Sequence, residues 1–516
     1  MLRAFWSRAA ATDGRDDKWF FDKSVWQKMF RTMNGCGFNC LFFFNENPFT
    51  TMIDMPGHPD VKVFDDAAGV DYRQMFHWVL EAALDYDIAP YLVFNADESD
   101  LDFTRECMRT LLDDYPVLRG LIIGGLNSAS TIELTQRGIV DVLDAVRPDA
   151  SLYLQAGEKS EEILQITRRG NRKISCLVKY THDHLVDESP DEQFTGWIDT
   201  VGAENIVAEL ELANFEPWTS FSFDTAGGLI ANLEHTGCQG LALKPLSPTQ
   251  WPLVSDTYFK YQWQRDLVWY SVWGGSSIEK LKKQGWPKWL ARNPRLVIGF
   301  EAASRILELL SLYLAGDRSC AIRVQYCSLD AANGPHLISI ADLLRPEDIS
   351  EYSGRGWWQE ITGDPAVYLG EYVLRGAPEN TYGPEELIEE LSDLSHLAVA
   401  AGEKGMRSAS GEKELPSLAR DAFCMGRLGE FYVERFRAAL SYARNETVEA
   451  AEHTARALGL YKELVDVDRA HRDKFALRWK DSSVDRGWDA IIDALEREYT
   501  DISAGNFKPG SDYSIT

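Results

Sequence analysis

The sequence predicts an α/β fold: a closed (β/α)8 barrel of the TIM type followed by a mainly α-helical C-terminal domain. Three observations lead there. Between Leu2 and Pro245 a short apolar run followed by an amphipathic segment recurs eight times, and strand-like runs alternating with helical patterns make parallel strands joined by crossover helices. Eight such units in about 250 residues suit a closed barrel. The structural rival, an open doubly wound sheet, usually carries a Gly-rich phosphate loop after its first strand, and none follows Ala11.

In order, the predicted strands are Leu2–Ala11, Phe38–Phe44, Ala89–Phe94, Leu118–Ile123, Ser151–Gln155, Ile174–Lys179, Asn205–Glu211 and Cys238–Lys244. Between them, Tyr72–Tyr86, Thr104–Tyr115, Ile132–Val146 and Ser160–Arg169 carry apolar residues at helical spacing. After Pro245 the pattern changes. Tyr258–Trp273 is a helix dense in aromatics, and Asn293–Leu314 is a second helix. Residues 316–384 read as irregular, and helical spacing returns over Glu385–Glu403, Leu415–Arg444, Glu446–Val467 and Ser483–Glu498, with Gly402–Glu414 as an exposed loop. The expected division is a barrel over residues 1–250 and a helical domain over 251–516. Most of the aromatics in this half are expected to fill the core between helices.

Composition narrows the function. At 516 residues the chain is too long for one core, and 45% hydrophobic residues suit a packed globular protein. A formal charge of −27 argues against nucleic-acid binding and against docking on anionic membranes. No apolar run reaches transmembrane length. Among the eight cysteines no pair has zinc-finger spacing, so buried free thiols are expected, as in a reducing compartment. No signal peptide is visible. A cytoplasmic and a periplasmic location both stay open, because a removed upstream segment would leave the same start. The oligomeric state is also open, a homodimer being one option.

A barrel of this kind keeps its chemistry at the C-terminal ends of its strands. Those ends offer Thr12–Arg15, Asn45-Glu46-Asn47, Asn95-Ala96-Asp97-Glu98, Gly124–Asn127, Gln155–Glu158, Lys179–His184, Glu209-Leu210-Glu211 with Asn214, Glu216 and Trp218, and Lys244. They are rich in carboxylates, amides and aromatics. His182 and His184 would point to opposite sides of a continued strand, a poor arrangement for chelation. No metal site and no cofactor are therefore expected, and no nucleophile elbow or P-loop is present. Glu209 and Glu211 share one strand face by period two. Paired carboxylates facing a barrel mouth suit glycoside hydrolysis, in which one acid protonates the leaving oxygen and another carboxylate acts as base or nucleophile.

The run Val178-Lys179-Tyr180-Thr181-His182-Asp183, the glutamates of strand 7 and the aromatic helix Gln262–Tyr270 resemble a glycoside hydrolase of the α-glucuronidase type. The resemblance covers roughly residues 2–300. It implies a barrel with a helical C-terminal domain, Asp183 as a catalytic aspartate and Glu209 or Glu211 as its partner base. It also implies a general-acid glutamate after strand 4, where this chain reads Gly124-Gly125-Leu126-Asn127-Ser128 with no carboxylate before Glu133. The acid is then sought in Glu158, Glu46, Asp97 or Glu98.

The expected activity is hydrolysis of a complex or uronic-acid-containing oligosaccharide or polysaccharide. Arg15, Asn45, Asn95, Lys179, His182 and Lys244 would hold hydroxyls or a carboxylate, and Trp218 would stack on a sugar face. Two other readings remain: a barrel that binds sugar without cleaving it, and a lysine-dependent lyase or aldolase using Lys179 or Lys244.

Overall fold

The computed structural model describes residues 1–8, 19–54, 72–96, 100–126, 128–156, 166, 172–180, 188–211, 217–218, 220, 223–244, 258–275, 292–314, 322–331, 334–344, 358, 365–407, 414–470, 488–511 and 513–515. Eight parallel strands pair in sequence order: β1 (Leu2–Arg8), β2 (Cys40–Phe44), β3 (Ala89–Asn95), β4 (Gly120–Gly124), β5 (Ser151–Gln155), β6 (Ile174–Lys179), β7 (Ile206–Glu211) and β8 (Gly240–Lys244). The ring closes where Ala4 of β1 pairs with Ala242 of β8. The described part of β1 runs to Arg8, in register with Phe44 at the end of β2; the expected continuation to Ala11 lies outside the described residues.

Both strand faces are covered, so each strand is apolar almost throughout. Alternation divides the residues between two cores. Ala4, Trp6, Phe42, Tyr91, Val93, Ile122, Tyr153, Leu177, Val207 and Ala242 fill the barrel interior. Their neighbours, such as Phe5, Phe43, Leu92, Leu121 and Leu154, pack outward beneath the helices.

The outer helices begin where side chains satisfy the free N–H groups of the first turn. Asp22 caps Lys23–Cys36, Asp100 caps Leu101–Asp114 and Asp191 caps Glu192–Val201. The first of these buries Val25, Trp26, Met29, Phe30 and Met33, a stripe at helical spacing. It stops at Gly37, whose φ of +100° suits glycine and whose missing Cβ would lie 2.3 Å from the Gly274 carbonyl oxygen. The segment predicted as one helix from Ile132 to Val146 is helical as Ala129–Leu134 and Asp141–Val146, with a π-helical stretch, Thr135–Val140, between them. The helix expected over Ser160–Arg169 lies outside the described residues, apart from Ile166.

Beyond the barrel, long helices pack side by side: Pro294–Leu314, Pro384–Met406, Glu414–Ala443, Thr447–Arg469 and Trp488–Ser503. The aromatic segment forms two short helices, Gln262–Arg265 and Leu267–Trp273, and its Trp263, Trp269, Tyr270 and Trp273 are buried. It docks on the barrel through Tyr270, edge-on to Phe38 at 5.5 Å, and through the Gly274 carbonyl, which accepts from Arg3 Nη1 at 2.6 Å. The region expected to be irregular contains a small antiparallel sheet of β9 (Ile322–Arg323), β10 (Ser328–Ala331) and β11 (Gly334–Leu337). Inside this half, Arg435 pairs with Glu498 and Arg420 with Asp421, all four fully buried. Among the described residues no helix is long and apolar enough to cross a membrane.

Candidate active site

The C-terminal rim of the barrel gathers polar residues on a hydrophobic floor. Alternation from the interior core assigns inward positions at or near the strand ends to Arg8, Phe44, Asn95, Gly124, Gln155, Lys179, Glu209 and Lys244, with Glu211 one inward position beyond Glu209. The floor is Trp6, whose ring meets Phe42 edge-on at 6.0 Å and lies 6.3 Å from Phe44.

Glu209 is the centre of the group. It is 2% exposed. Gln155 Nε2 donates to its Oε2 at 3.3 Å, and Lys244 Nζ lies 3.7 Å from its Oε1, an ion pair rather than a direct hydrogen bond. The same ammonium sits 5.5 Å from the centroid of Trp6, within cation–π range. Lys179 is in register with Glu209 on the neighbouring strand, and Glu211 is in register with Lys244. On the opposite arc, Asn95 and Gln155 close over Gly124: a Cβ there would come within 2.5 Å of Asn95 Oδ1 and 2.7 Å of Gln155 Oε1. Glycine is what lets both amides converge. The next residue, Gly125, turns with a φ of +73°. A carboxylate flanked by an ammonium, an amide and an aromatic floor can accept a proton or attack an electrophilic carbon while its neighbours bind hydroxyls or an anion.

Asn95, Lys179, Glu209 and Lys244 thus come together, whereas two expected residues serve the fold instead. Asn45 is 5% exposed and its amide is used locally: Nδ2 donates to Thr51 Oγ1 at 2.9 Å and Oδ1 accepts from the Asn47 N–H at 3.0 Å. It braces the turn into the short helix Pro48–Thr51 rather than facing a sugar. Trp218 is fully buried and stacked on Trp488, so it offers no face to a ligand. Glu46 is exposed in that same turn after β2. Arg15, Asp97, Glu98, Glu158, His182, Asp183 and His184 lie outside the described residues. After β4, the Ser128 hydroxyl caps the helix Ala129–Leu134 by accepting from the Thr131 N–H at 3.2 Å.

Arg8 and Trp6 are not among the strand-end residues the sequence offers, and Gln155 is offered there without a role. The signal for Gln155 was period two from Tyr153. Arg8 and Trp6 were hidden by the apolar Ala9-Ala10-Ala11 that follows them, which reads as more strand. Among the described residues no group of three or more His, Cys, Asp or Glu side chains could hold a metal ion.

The chain matches no protein-family model and no curated protein. It does match solved structures. A GH138 enzyme targeting pectin rhamnogalacturonan II superposes with a TM-score of 0.76 over 98% of this chain and 83% of that one, at 18% identity. The two share a fold. A Thermobaculum terrenum O-GlcNAc hydrolase aligns over 98% of this chain and 96% of its own at 9% identity, with a TM-score of 0.41. The barrel and the helical region after it therefore recur together, along nearly the whole chain, in a glycoside hydrolase structure.

Proposed function

We propose that this chain is a glycoside hydrolase acting on a complex, uronic-acid-containing oligosaccharide or polysaccharide, with Glu209 as base or nucleophile. The observation that carries the reading is the buried Glu209 carboxylate at the C-terminal mouth, between Gln155 and Lys244. A fold shared with an enzyme that targets pectin rhamnogalacturonan II supports the same class.

The uronate preference rests on cations. Arg8, Lys179 and Lys244 end three strands of the rim, in a chain whose net charge is −27. A polyanionic substrate needs that local reversal of sign to be held. Within the class, the α-glucuronidase type remains our finer reading: Asp183 and Glu211 would complete the carboxylate set, and Glu158, Glu46, Asp97 or Glu98 would protonate the leaving oxygen. Residues 1–250 would carry the chemistry and residues 251–516 would support it.

One observation favours a second reading, a barrel that binds sugar without cleaving it: β4 exits into Gly124-Gly125-Leu126, and Ser128 is spent on a helix cap. The lyase reading has less support, because Lys244 already faces a carboxylate partner, Glu209, at 3.7 Å. A screen of uronic-acid oligosaccharides, following both binding and new reducing ends, separates these readings. Cleavage by the wild type, lowered roughly 100-fold or more in Glu209→Gln with binding kept, is the expected result. Unchanged turnover in that variant sinks the assignment, and tight binding with no cleavage by the wild type selects the second reading.

A further inference from the structure

Trp218 is pinned by a residue 250 positions away. Asp468 lies in the last turn of the helix Thr447–Arg469 and is fully buried. Its Oδ1 accepts the indole N–H of Trp218 at 3.1 Å, and its Oδ2 accepts that of Trp488 at 3.3 Å. The two indoles stack, with centroids 6.0 Å apart and planes 20° from parallel. Trp488 opens the helix Trp488–Ser503 and is backed by Tyr326 at 5.6 Å and Tyr461 at 6.1 Å. A buried carboxylate is tolerated when donors satisfy its oxygens. Here one donor comes from the chain leaving β7 and the other from the helical region.

The position of Trp218 in the chain gives this contact its meaning. It follows Glu211 by seven residues. Upstream, β7 is held by its ladder to β8, with Glu209 in register with Ala242 and Glu211 with Lys244. Downstream, the next described fixed point is the indole on Asp468. The seven residue steps from Glu211 to Trp218 span ~25 Å at most, so the exit of β7 is tethered at both ends by short chain. We propose that Asp468 and Trp218 act as positioning residues: through them the helical region fixes the exit of β7, and with it the Glu209 and Glu211 carboxylates. The proposal rests on the glycoside hydrolase reading for its kinetic consequence, but the tether can be tested without it.

Trp218→Phe and Trp488→Phe in the full chain form a matched pair. Each removes one indole N–H from the same carboxylate and keeps a ring in the stack, but only the first releases the barrel side. Amide hydrogen exchange over residues 206–211 is measured for both, with kcat and KM on whichever glycoside the wild type cleaves. The expected result is faster exchange over β7 in Trp218→Phe alone. Its kcat should fall roughly 10- to 100-fold with KM within about two-fold, the scale set by sub-ångström misplacement of reacting groups. Equal effects of the two variants on exchange and kcat, or none from Trp218→Phe, overturn the proposal, since a merely structural indole would not distinguish them. Asp468→Ala, which releases both indoles, serves if Trp218→Phe does not fold; unchanged exchange over β7 in that variant also overturns the proposal. If the wild type cleaves no glycoside, the hydrolase reading fails and the exchange comparison decides the tether by itself.

Discussion

Gly124→Ala tests the geometry of the rim by replacing one hydrogen with a methyl group. The methyl would lie 2.5 Å from Asn95 Oδ1 and 2.7 Å from Gln155 Oε1, both flexible side-chain ends. Each must retreat by roughly 0.5–1 Å to restore ordinary contact. Gln155 does not shift freely, because its Nε2 also donates to Glu209 at 3.3 Å, near the limit, and a displacement of that size disturbs this bond. Overpacking costs about 1–3 kcal/mol and one neutral-donor hydrogen bond about 1 kcal/mol. Because the crowded atoms are mobile ends rather than backbone, a loss of about 1–2 kcal/mol is expected. Urea denaturation followed by circular dichroism measures it in Gly124→Ala, Gln155→Ala and the double variant. In the Gln155→Ala background the methyl meets only Asn95, so the two changes should couple by about 0.5–1 kcal/mol. On a cleaved substrate, kcat should fall about 10-fold, since the bond that orients Glu209 is disturbed. Strictly additive stabilities together with wild-type kcat would refute the reasoning, because the amide would then be neither crowded by residue 124 nor needed by Glu209.

Two further outcomes follow from the same structure. Burial raises the pKa of Tyr313, Tyr432 and Tyr461 well above 10; their contribution to stability is full below pH 10 and is lost as pH rises, because only the unfolded chain can then ionise them. Together they cost about 4 kcal/mol per pH unit above 10, so tyrosinate absorbance from these residues should appear only with cooperative loss of the circular dichroism signal, and a smooth titration of all 20 tyrosines in the folded protein would contradict this. Glu158→Ala, if Glu158 supplies the proton to the leaving oxygen, should abolish cleavage of natural glycosides and largely spare aryl glycosides with good leaving groups; equal slowing of both, or of neither, assigns the acid elsewhere.

The barrel was legible because its strands are buried on both faces and its helices on one. That contrast survives in a single sequence as runs against stripes, and Ser151–Gln155 and Ile174–Lys179 match the predicted strands residue for residue. The small sheet of β9, β10 and β11 left no such trace, because strands of two to four residues are too short to show a period. The rim was legible in part. Glu209, Lys179, Lys244 and Asn95 follow from asking what ends each strand. Asn45 and Trp218 stand at equally suggestive positions, yet Thr51 satisfies one and Asp468 the other. A partner six residues on was within reach of turn chemistry. A partner in a helix 250 residues away belongs to tertiary structure alone, which residue type and strand position do not encode.

The energetics of Glu209 argue that the rim is kept for something other than stability. Moving a carboxylate and an ammonium out of water costs several kcal/mol per ion even after relaxation. Glu209 is 1% exposed at its side chain and Lys244 21%, so the carboxylate bears the larger part of that penalty. At 3.7 Å and an effective dielectric of about 20, their attraction is worth about 4–5 kcal/mol, and the bond from Gln155 adds about 1 kcal/mol more. These two described partners offset much of that cost without clearly exceeding it. An apolar residue at position 209, continuing the layer of Val207 and Leu177 beneath it, would fill the same space at no desolvation cost. The fold therefore gains little from a glutamate there. What the glutamate supplies is a preorganised carboxylate, desolvated and aimed by fixed neighbours, at the end of the barrel where substrates of this fold bind.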